Sequence, residues 1–253
     1  MKNILEAKNL SKTYYLDSRQ HHVLKNVNLG VREGEFLTVM GPSGSGKSTL
    51  LYNISGMDRM TAGEVIFADQ KMSQLKEAEL SEMRLKRMGF VFQQINLLKN
   101  LGILDNIIIS AYMAGAEKRE KIVERAYELM KKTDILELAE NEITQVSGGQ
   151  LQRAAICRAL INQPEILFAD EPTGALNSSA AEDVMSVLQK INREGTTIMM
   201  VTHDVKIAAQ SERILYMIDG NIEGEYNLDK MTEKSDLKER ESRLSRWLLN
   251  MGF

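Results

Sequence analysis

Hydrophobic residues change rhythm twice along this chain. From residue 1 to about 75 they come in short clusters, "ILEAKNL", "VNLGV", "EFLTVMG" and "GEVIFA", each ended by Gly, Asn or a charged residue. That texture predicts a strand-rich segment. From about 76 to 160 the apolar positions fall three and four apart among charges, in "KEAELSEMRLKRM" and "EKREKIVERAYELMKKTDI", which predicts a helical insertion. Strand signals return in "EILFAD" and "TTIMMVTH", separated by the helix-like "AAEDVMSVLQKINREG" with Gly195 as its stop. Two nearly continuous apolar strands joined by a helix are what a buried parallel sheet requires, so the pattern reads as α/β. In the tail, Leu237, Leu244, Leu248 and Met251 recur at helical spacing with Trp247 beside them, and charged residues fill the remaining face. Such a helix packs on its own domain, on a second copy or on a membrane surface; six basic residues against five acidic ones from 228 to 253 give little attraction to anionic lipid.

Composition narrows the class without naming it. The 253 residues are 43% hydrophobic and 26% charged, ordinary values for a soluble globular protein. A formal net charge of -3 leaves no basic footprint and argues against nucleic acid as the main partner. Cys157 is the single cysteine, which excludes an internal disulfide and suits a reducing cytoplasm. The start, "MKNILEAKNL", lacks the apolar stretch of a signal peptide. No apolar run approaches the roughly 18 residues of a membrane helix. If the protein serves a membrane, it is expected to do so from outside the bilayer.

The chemistry-bearing motifs begin with "GPSGSGKST". It follows a strand, opens a helix and matches the phosphate-loop pattern at Gly41, Gly46, Lys47 and Ser48. Its glycines let backbone N–H groups turn onto phosphate oxygens, Lys47 supplies charge, and Ser48 offers a hydroxyl to Mg2+. "ILFADE" then delivers Asp170 and Glu171 together at a strand's C-terminal end, where ligands bind in α/β sheets. Asp170 is placed to hold Mg2+ through its water shell, and Glu171 to orient or deprotonate the attacking water. His203 closes the next predicted strand, beside the γ-phosphate or as an ordinary local hydrogen bonder. "VSGGQLQRAAICRAL" is a second glycine turn running into a helix, a second anion-binding start in a chain that already has one.

Together "GPSGSGKST", "VFQQ", "VSGGQLQR", "ILFADEPT" and "VTHD", in this order and spacing, resemble the ATP-binding subunits of ABC transporters over about residues 3–225. The resemblance implies a P-loop NTPase of the ABC type, with a parallel-sheet catalytic core, an antiparallel β subdomain and an inserted helical subdomain. The ATPase domain is expected at 1–225, its core at about 1–92 and 162–225, its helical subdomain at about 93–161, and a C-terminal amphipathic helical extension at 226–253. ATP is expected on Tyr14, which matches the aromatic that stacks on adenine with Tyr15 as its rival, and on Gly41, Pro42, Ser43, Gly44, Ser45, Gly46, Lys47, Ser48 and Thr49. Gln93 is implied as a contact of Mg2+ and the attacking water that relays to the membrane partner, so the metal set is Ser48, Gln93 and Asp170 and the catalytic set Glu171, His203 and Gln93.

In that family two subunits lie head to tail, which gives the second glycine turn a use. Ser147, Gly148, Gly149 and Gln150 match the signature that closes the partner's ATP site, with Val146 where leucine is commoner. The resemblance implies that Gly174, Ala175, Leu176 and Asn177 form the loop that crosses the dimer interface. Asn177 stands where the family usually has aspartate, either as a tolerated variant or as weaker coupling between the two sites. The implied partners are a second copy of the chain and a separately encoded permease, at the cytoplasmic face of the membrane. "GEFLTVMGPSGSGKSTLLYNISGMDRMTAGEV", "GFVFQQINLL" and "ADEPTGAL" are similar to the branch of macrolide exporters, lipoprotein-releasing systems and antimicrobial-peptide resistance systems, which usually pair with FtsX-like permeases. "LLKNLGILDNI" departs from that branch after the glutamine loop. The alternatives are a lipoprotein-release or cell-division ATPase, a soluble ABC ATPase of repair or translation, and a non-catalytic regulatory module. Only 99 residues separate Lys47 from Ser147, too few for a repair-type coiled coil.

Overall fold

The computed structural model describes residues 2–16, 19–115, 117–232 and 235–252. It divides into two compact units, 1–80 with 197–253, and 81–196. In chain order the first unit supplies β1 (Asn3–Leu16), β2 (Arg19–Arg32), β3 (Phe36–Met40), α1 (Lys47–Ile54), β4 (Ala62–Phe67) and β5 (Gln70–Lys71), and α2 (Glu77–Arg87) leaves it. The second unit holds β6 (Met88–Phe92), α3 (Ile103–Ala114), α4 (Arg119–Lys132), α5 (Gly148–Leu160), β7 (Ile166–Asp170) and α6 (Ser178–Arg193). The chain then returns to the first unit with β8 (Thr197–Val201), α7 (Val205–Ala208), β9 (Arg213–Ile218), β10 (Asn221–Asn227) and α8 (Leu237–Asn250).

The first unit contains an antiparallel sheet in the order β2-β1-β4-β5, and strands β10-β9-β3-β8 in a second sheet where β3 runs parallel to both β8 and β9. All five residues of β3 and all five of β8 are buried, as strands covered on both faces require. The hairpin from β9 to β10 turns on Asp219 and Gly220, both with positive φ, the pair that a two-residue turn favours. In the second unit β6 and β7 pair in parallel from Met88 opposite Ile166 to Phe92 opposite Asp170. Its helices close over a core that includes Ile103, Ile107, Ile122, Met130, Ala154 and Cys157. Cys157 is a free, fully buried thiol beside the Thr133 hydroxyl, and burial pushes it up to about 12, so it is structural rather than reactive.

Three differences from the sequence pattern have physical causes. The helical stretch is interrupted by β6, whose five residues "MGFVF" are too short to show a period. The hairpin of β9 and β10 is absent from the expected strands because β10, which has no fully buried residue, is too polar to read as one. On α8 the apolar face seats as expected, with Leu244 and Leu248 fully buried, so the tail packs on its own unit. Its charged face does not hold as a solvated one throughout, because Arg240 is only 6% exposed. Trp247 stacks on Tyr226 at 5.1 Å and meets Tyr216 edge-on at 6.2 Å.

Candidate functional site

In the first unit, β3 ends at Met40 and the loop 41–46 leads into α1, whose first residue is Lys47. Gly41 is restricted to glycine: its φ is +152°, and a Cβ there would lie 2.0 Å from the Met217 carbonyl oxygen. Lys47 is 8% exposed, and its Nζ donates to the Gly41 and Pro42 carbonyls at 2.9 and 2.8 Å, holding the ammonium over the loop. The Ser45 Oγ is buried and has no hydrogen-bond partner among the described residues. An orphaned hydroxyl, a buried lysine and a helix start together make a cradle that fits a phosphate. Pro42, Ser43, Gly44, Ser48 and Thr49 complete the run, with Gly44 open to a cavity it shares with His21, His22 and Lys25.

The two tyrosines differ. Tyr14 donates from its hydroxyl to Asp58 Oδ2 at 2.6 Å, and Lys12 Nζ lies 4.6 Å from its ring centroid. Burial first, then the Asp58 carboxylate beside it, pushes the Tyr14 phenol up to about 12. Tyr15 is 68% exposed. Burial alone would raise Asp58, but hydrogen bonds from Lys12 and Tyr14 hold it below its ordinary value. This ion-paired support, all of it beyond the phosphate-loop motif, carries no sequence signature.

His203 lies just past β8, which ends at Val201, and not within the strand. Thr202 N donates to the Val39 carbonyl, tying this loop to β3, and Asp204 caps α7 by accepting from Ile207 N at 3.1 Å. His203 is exposed between them.

The second unit carries the other candidates. Asp170, 8% exposed, ends β7 directly opposite Phe92, the residue before Gln93. Glu171 follows with φ +48°, a left-handed conformation uncommon for a glutamate, which turns the chain sharply off the strand axis. Gln93 reaches the loop after Glu171: a Cβ on Gly174 would lie 2.9 Å from Gln93 Nε2. Gly174, Ala175 and Leu176 lead to Asn177, whose side chain accepts from Ala180 N at 2.9 Å as the N-cap of α6. Asparagine and aspartate cap equally well, so Asn177→Asp is expected to leave the melting temperature unchanged, whereas Asn177→Ala is expected to cost about 1 kcal/mol in chemical denaturation.

Ser147 caps α5 in a capping box with Gln150: Ser147 N donates to Gln150 Oε1 at 2.9 Å, and Gln150 N to Ser147 Oγ at 3.4 Å. No acidic residue stands in the first turn of α5, so its N-terminal dipole faces no fixed negative charge of its own. Gly148 and Gly149 follow, and a Cβ on Gly149 would lie 2.8 Å from the Ala180 Cβ, so the glycine lets α5 approach α6.

Sequence reading missed what joins these parts. Gln152 of α5 donates to the Phe92 carbonyl at 3.1 Å, and Arg158 of the same helix donates to the Asn96 and Ile95 carbonyls at 2.7 and 3.2 Å. Asn106 is fully buried and knots the departing segment "LLKNLG" by bonding Leu98 at both backbone groups, Leu101 and Gly102. The helix that carries Ser147 is thereby tied to the segment that carries Gln93. Among the described residues no three His, Cys, Asp or Glu side chains converge as a metal site of their own. A cation that keeps its waters and shares substrate phosphates, as Mg2+ does, needs fewer protein ligands, so Ser48, Gln93 and Asp170 remain chemically suitable.

The family model described as "ABC transporter" matches residues 24–174. An ABC transporter ATP-binding protein of Methanocaldococcus jannaschii is 46% identical over 233 residues, covering 89% of this chain and 97% of that one. A solved dimer of that cassette, in a post-hydrolysis state bound to ADP and Pi, superposes with a TM-score of 0.82 at 43% identity, over 90% of this chain and 100% of the other. A bacitracin export ATP-binding protein of Halalkalibacterium halodurans is 41% identical over 223 residues, covering 87% of each chain. A macrolide export ATP-binding/permease protein of Aggregatibacter actinomycetemcomitans is 42% identical over 220 residues, 87% of this chain but only 34% of that protein, so the chain spans about a third of its length.

Proposed function

Because the chain belongs to the ABC transporter family and is an ATP-binding, ATP-hydrolysing subunit of that family, we propose that it drives an FtsX-like permease at the cytoplasmic face of the membrane, in export of or resistance to antimicrobial peptides or antibiotics. No helix among the described residues is long and apolar enough to cross a membrane, so the membrane-spanning part of such a transporter falls to another segment or polypeptide. ATP stacks on Tyr14 and lays its phosphates along residues 41–49, with Lys47 on the β- and γ-phosphates. Mg2+, held by Ser48, Gln93 and Asp170, neutralises phosphate charge when bound. Glu171 takes the proton of the water that attacks the γ-phosphorus, and His203 stands at the γ-phosphate as the P–O bond to ADP breaks. Ser147, Gly148, Gly149 and Gln150 close the ATP site of a second copy, and Gly174 to Asn177 line the interface between copies. The ATPase domain runs to about 225, with the helical subdomain at about 93–161.

The observation that carries this reading is the phosphate cradle, in which Ser45 Oγ has no hydrogen-bond partner among the described residues and Lys47 is held over the loop. The bacitracin and macrolide relatives support the branch. Its test is co-expression with FtsX-like permeases: one is expected to co-purify with the chain, and the complex is expected to release phosphate faster when a cell-wall-directed antimicrobial peptide is added. A chain that binds no such permease, or a complex indifferent to peptide, overturns the branch while leaving the ATPase in place. In such a complex an unchanged Hill coefficient for Asn177→Asp assigns that asparagine as a tolerated variant.

A further inference from the structure

The motifs leave α8 without a role, although it reaches two segments that enter the nucleotide site. Leu244 and Leu248 are fully buried with Met40, the residue before Gly41, and with Ala208 and Ala209, where α7 ends. Arg240, one turn into the helix, is 6% exposed, and the hydrogen bonds of its guanidinium go to backbone carbonyls: Ala209 at 2.8 Å, Ser211 at 2.7 Å, Leu228 at 2.5 Å and Asp229 at 3.2 Å. Burial lowers it below the usual arginine value, with the Asp229 charge opposing. A cation taken out of water to hold four carbonyls is a costly way to fasten a helix, and apolar packing alone would have fastened it. What the guanidinium adds is position: its planar fork fixes where those carbonyls lie.

Two of the four belong to the segment that follows His203. Ala209 closes α7, α7 is capped by Asp204, and Asp204 is the next residue after the histidine. On the other side, Thr202 N donates to Val39 O and the Ser211 hydroxyl meets that of Thr38, both partners lying on β3. The histidine loop is therefore held at one end by β3 and at the other by Arg240. We propose that α8 is a positioning element for ATP hydrolysis and that Arg240 is its positioning residue, setting His203 through Ala209, Ser211 and α7. The proposal rests on the reading of His203 as the γ-phosphate contact.

Among the described residues none of the hydrogen bonds of Arg240 goes to the phosphate loop, so its loss separates binding from turnover. In the full-length chain, Arg240→Met is expected to lower kcat by about 10- to 100-fold, the cost of an ångström-scale misplacement, while ATP affinity stays within about twofold. Hydrogen exchange of amides 202–211 is expected to quicken in the same variant. His203→Ala alone is expected to lower kcat, and adding Arg240→Met to it is expected to cost nothing further, since both changes remove one interaction. If Arg240→Met does not fold, Arg240→Lys enters the same cycle, keeping charge but holding fewer carbonyls. Wild-type kcat in the folded arginine variant, or a loss that multiplies with that of His203→Ala, shows that Arg240 only stabilises and overturns the proposal. Full turnover by His203→Ala alone removes the histidine reading and the proposal with it, so the two failures are distinguishable.

Discussion

Lys47→Ala is expected to weaken ATP binding by about 100-fold and to take phosphate release down with it. The ammonium is held by two loop carbonyls at 2.8 and 2.9 Å while 8% exposed, so its position is set before nucleotide arrives. Hydrogen bonds to charged groups contribute about 1.5–3 kcal/mol each. Losing about 3 kcal/mol at the β- and γ-phosphates gives the hundredfold change in Kd. The fold should survive, because the loop carbonyls left behind are accessible to water once the side chain is gone. Nucleotide titration and phosphate release read the two effects independently. Wild-type ATPase in this variant would falsify the phosphate-loop assignment. Loss of turnover with wild-type affinity would move Lys47 from ground-state binding to the transition state alone.

Why this loop was legible from sequence, and other parts of the site were not, follows from the range of the contacts. A phosphate cradle is local: strand, glycines, lysine and helix start occupy consecutive residues, and each imposes its own composition. Ser147 and Gln150 are local too, since a capping box spans four residues. The ties from Gln152 to Phe92 and from Arg158 to Ile95 cross 60 and 63 residues, and they end on backbone carbonyls, which every residue type possesses. Arg240 is invisible for the same reason. Its helical position marked it as part of a charged face, and only the carbonyls of 209, 211, 228 and 229 reveal that it is buried. The hairpin from β9 to β10 did carry a local signal in "MIDGN", where Asp219-Gly220 favours a two-residue turn. That signal was missed because "NIEGEY" is too polar to read as a strand: β10 has no fully buried residue. The strand end before Glu171 is legible in "ILFADE", but the left-handed φ of Glu171 comes from the turn into the 174–177 loop, where Gly174 N donates to the Glu171 carbonyl.

That turn bears on the second large effect, expected for Glu171→Gln. Glutamine keeps the length and hydrogen-bonding capacity of the side chain and tolerates the same backbone, but it does not accept a proton from water. Hydrolysis is expected to slow by about 10²- to 10⁴-fold, the usual contribution of a general base. ATP affinity is expected to stay, since Lys47 and the phosphate loop are untouched. If each ATP is closed by the signature turn of a second copy, hydrolysis is what releases the pair, and a variant that binds without hydrolysing should accumulate as a dimer with ATP on size exclusion and remain monomeric with ADP. The acid-free first turn of α5 gives that second copy's phosphate a helix start that carries no negative charge of its own. Adding Ser147→Arg places bulk and charge at this helix start while leaving the phosphate loop intact. The double variant is expected to bind ATP as tightly as Glu171→Gln and to elute as a monomer. Because Ser147 also caps α5, Ser147→Asp serves as the control for helix integrity: it keeps the cap, sets a carboxylate against the partner's phosphate, and is likewise expected to stay monomeric. A dimer in both double variants would mean that the turn at 147–150 does not close the second copy's site, and the head-to-tail arrangement proposed for this chain would fall.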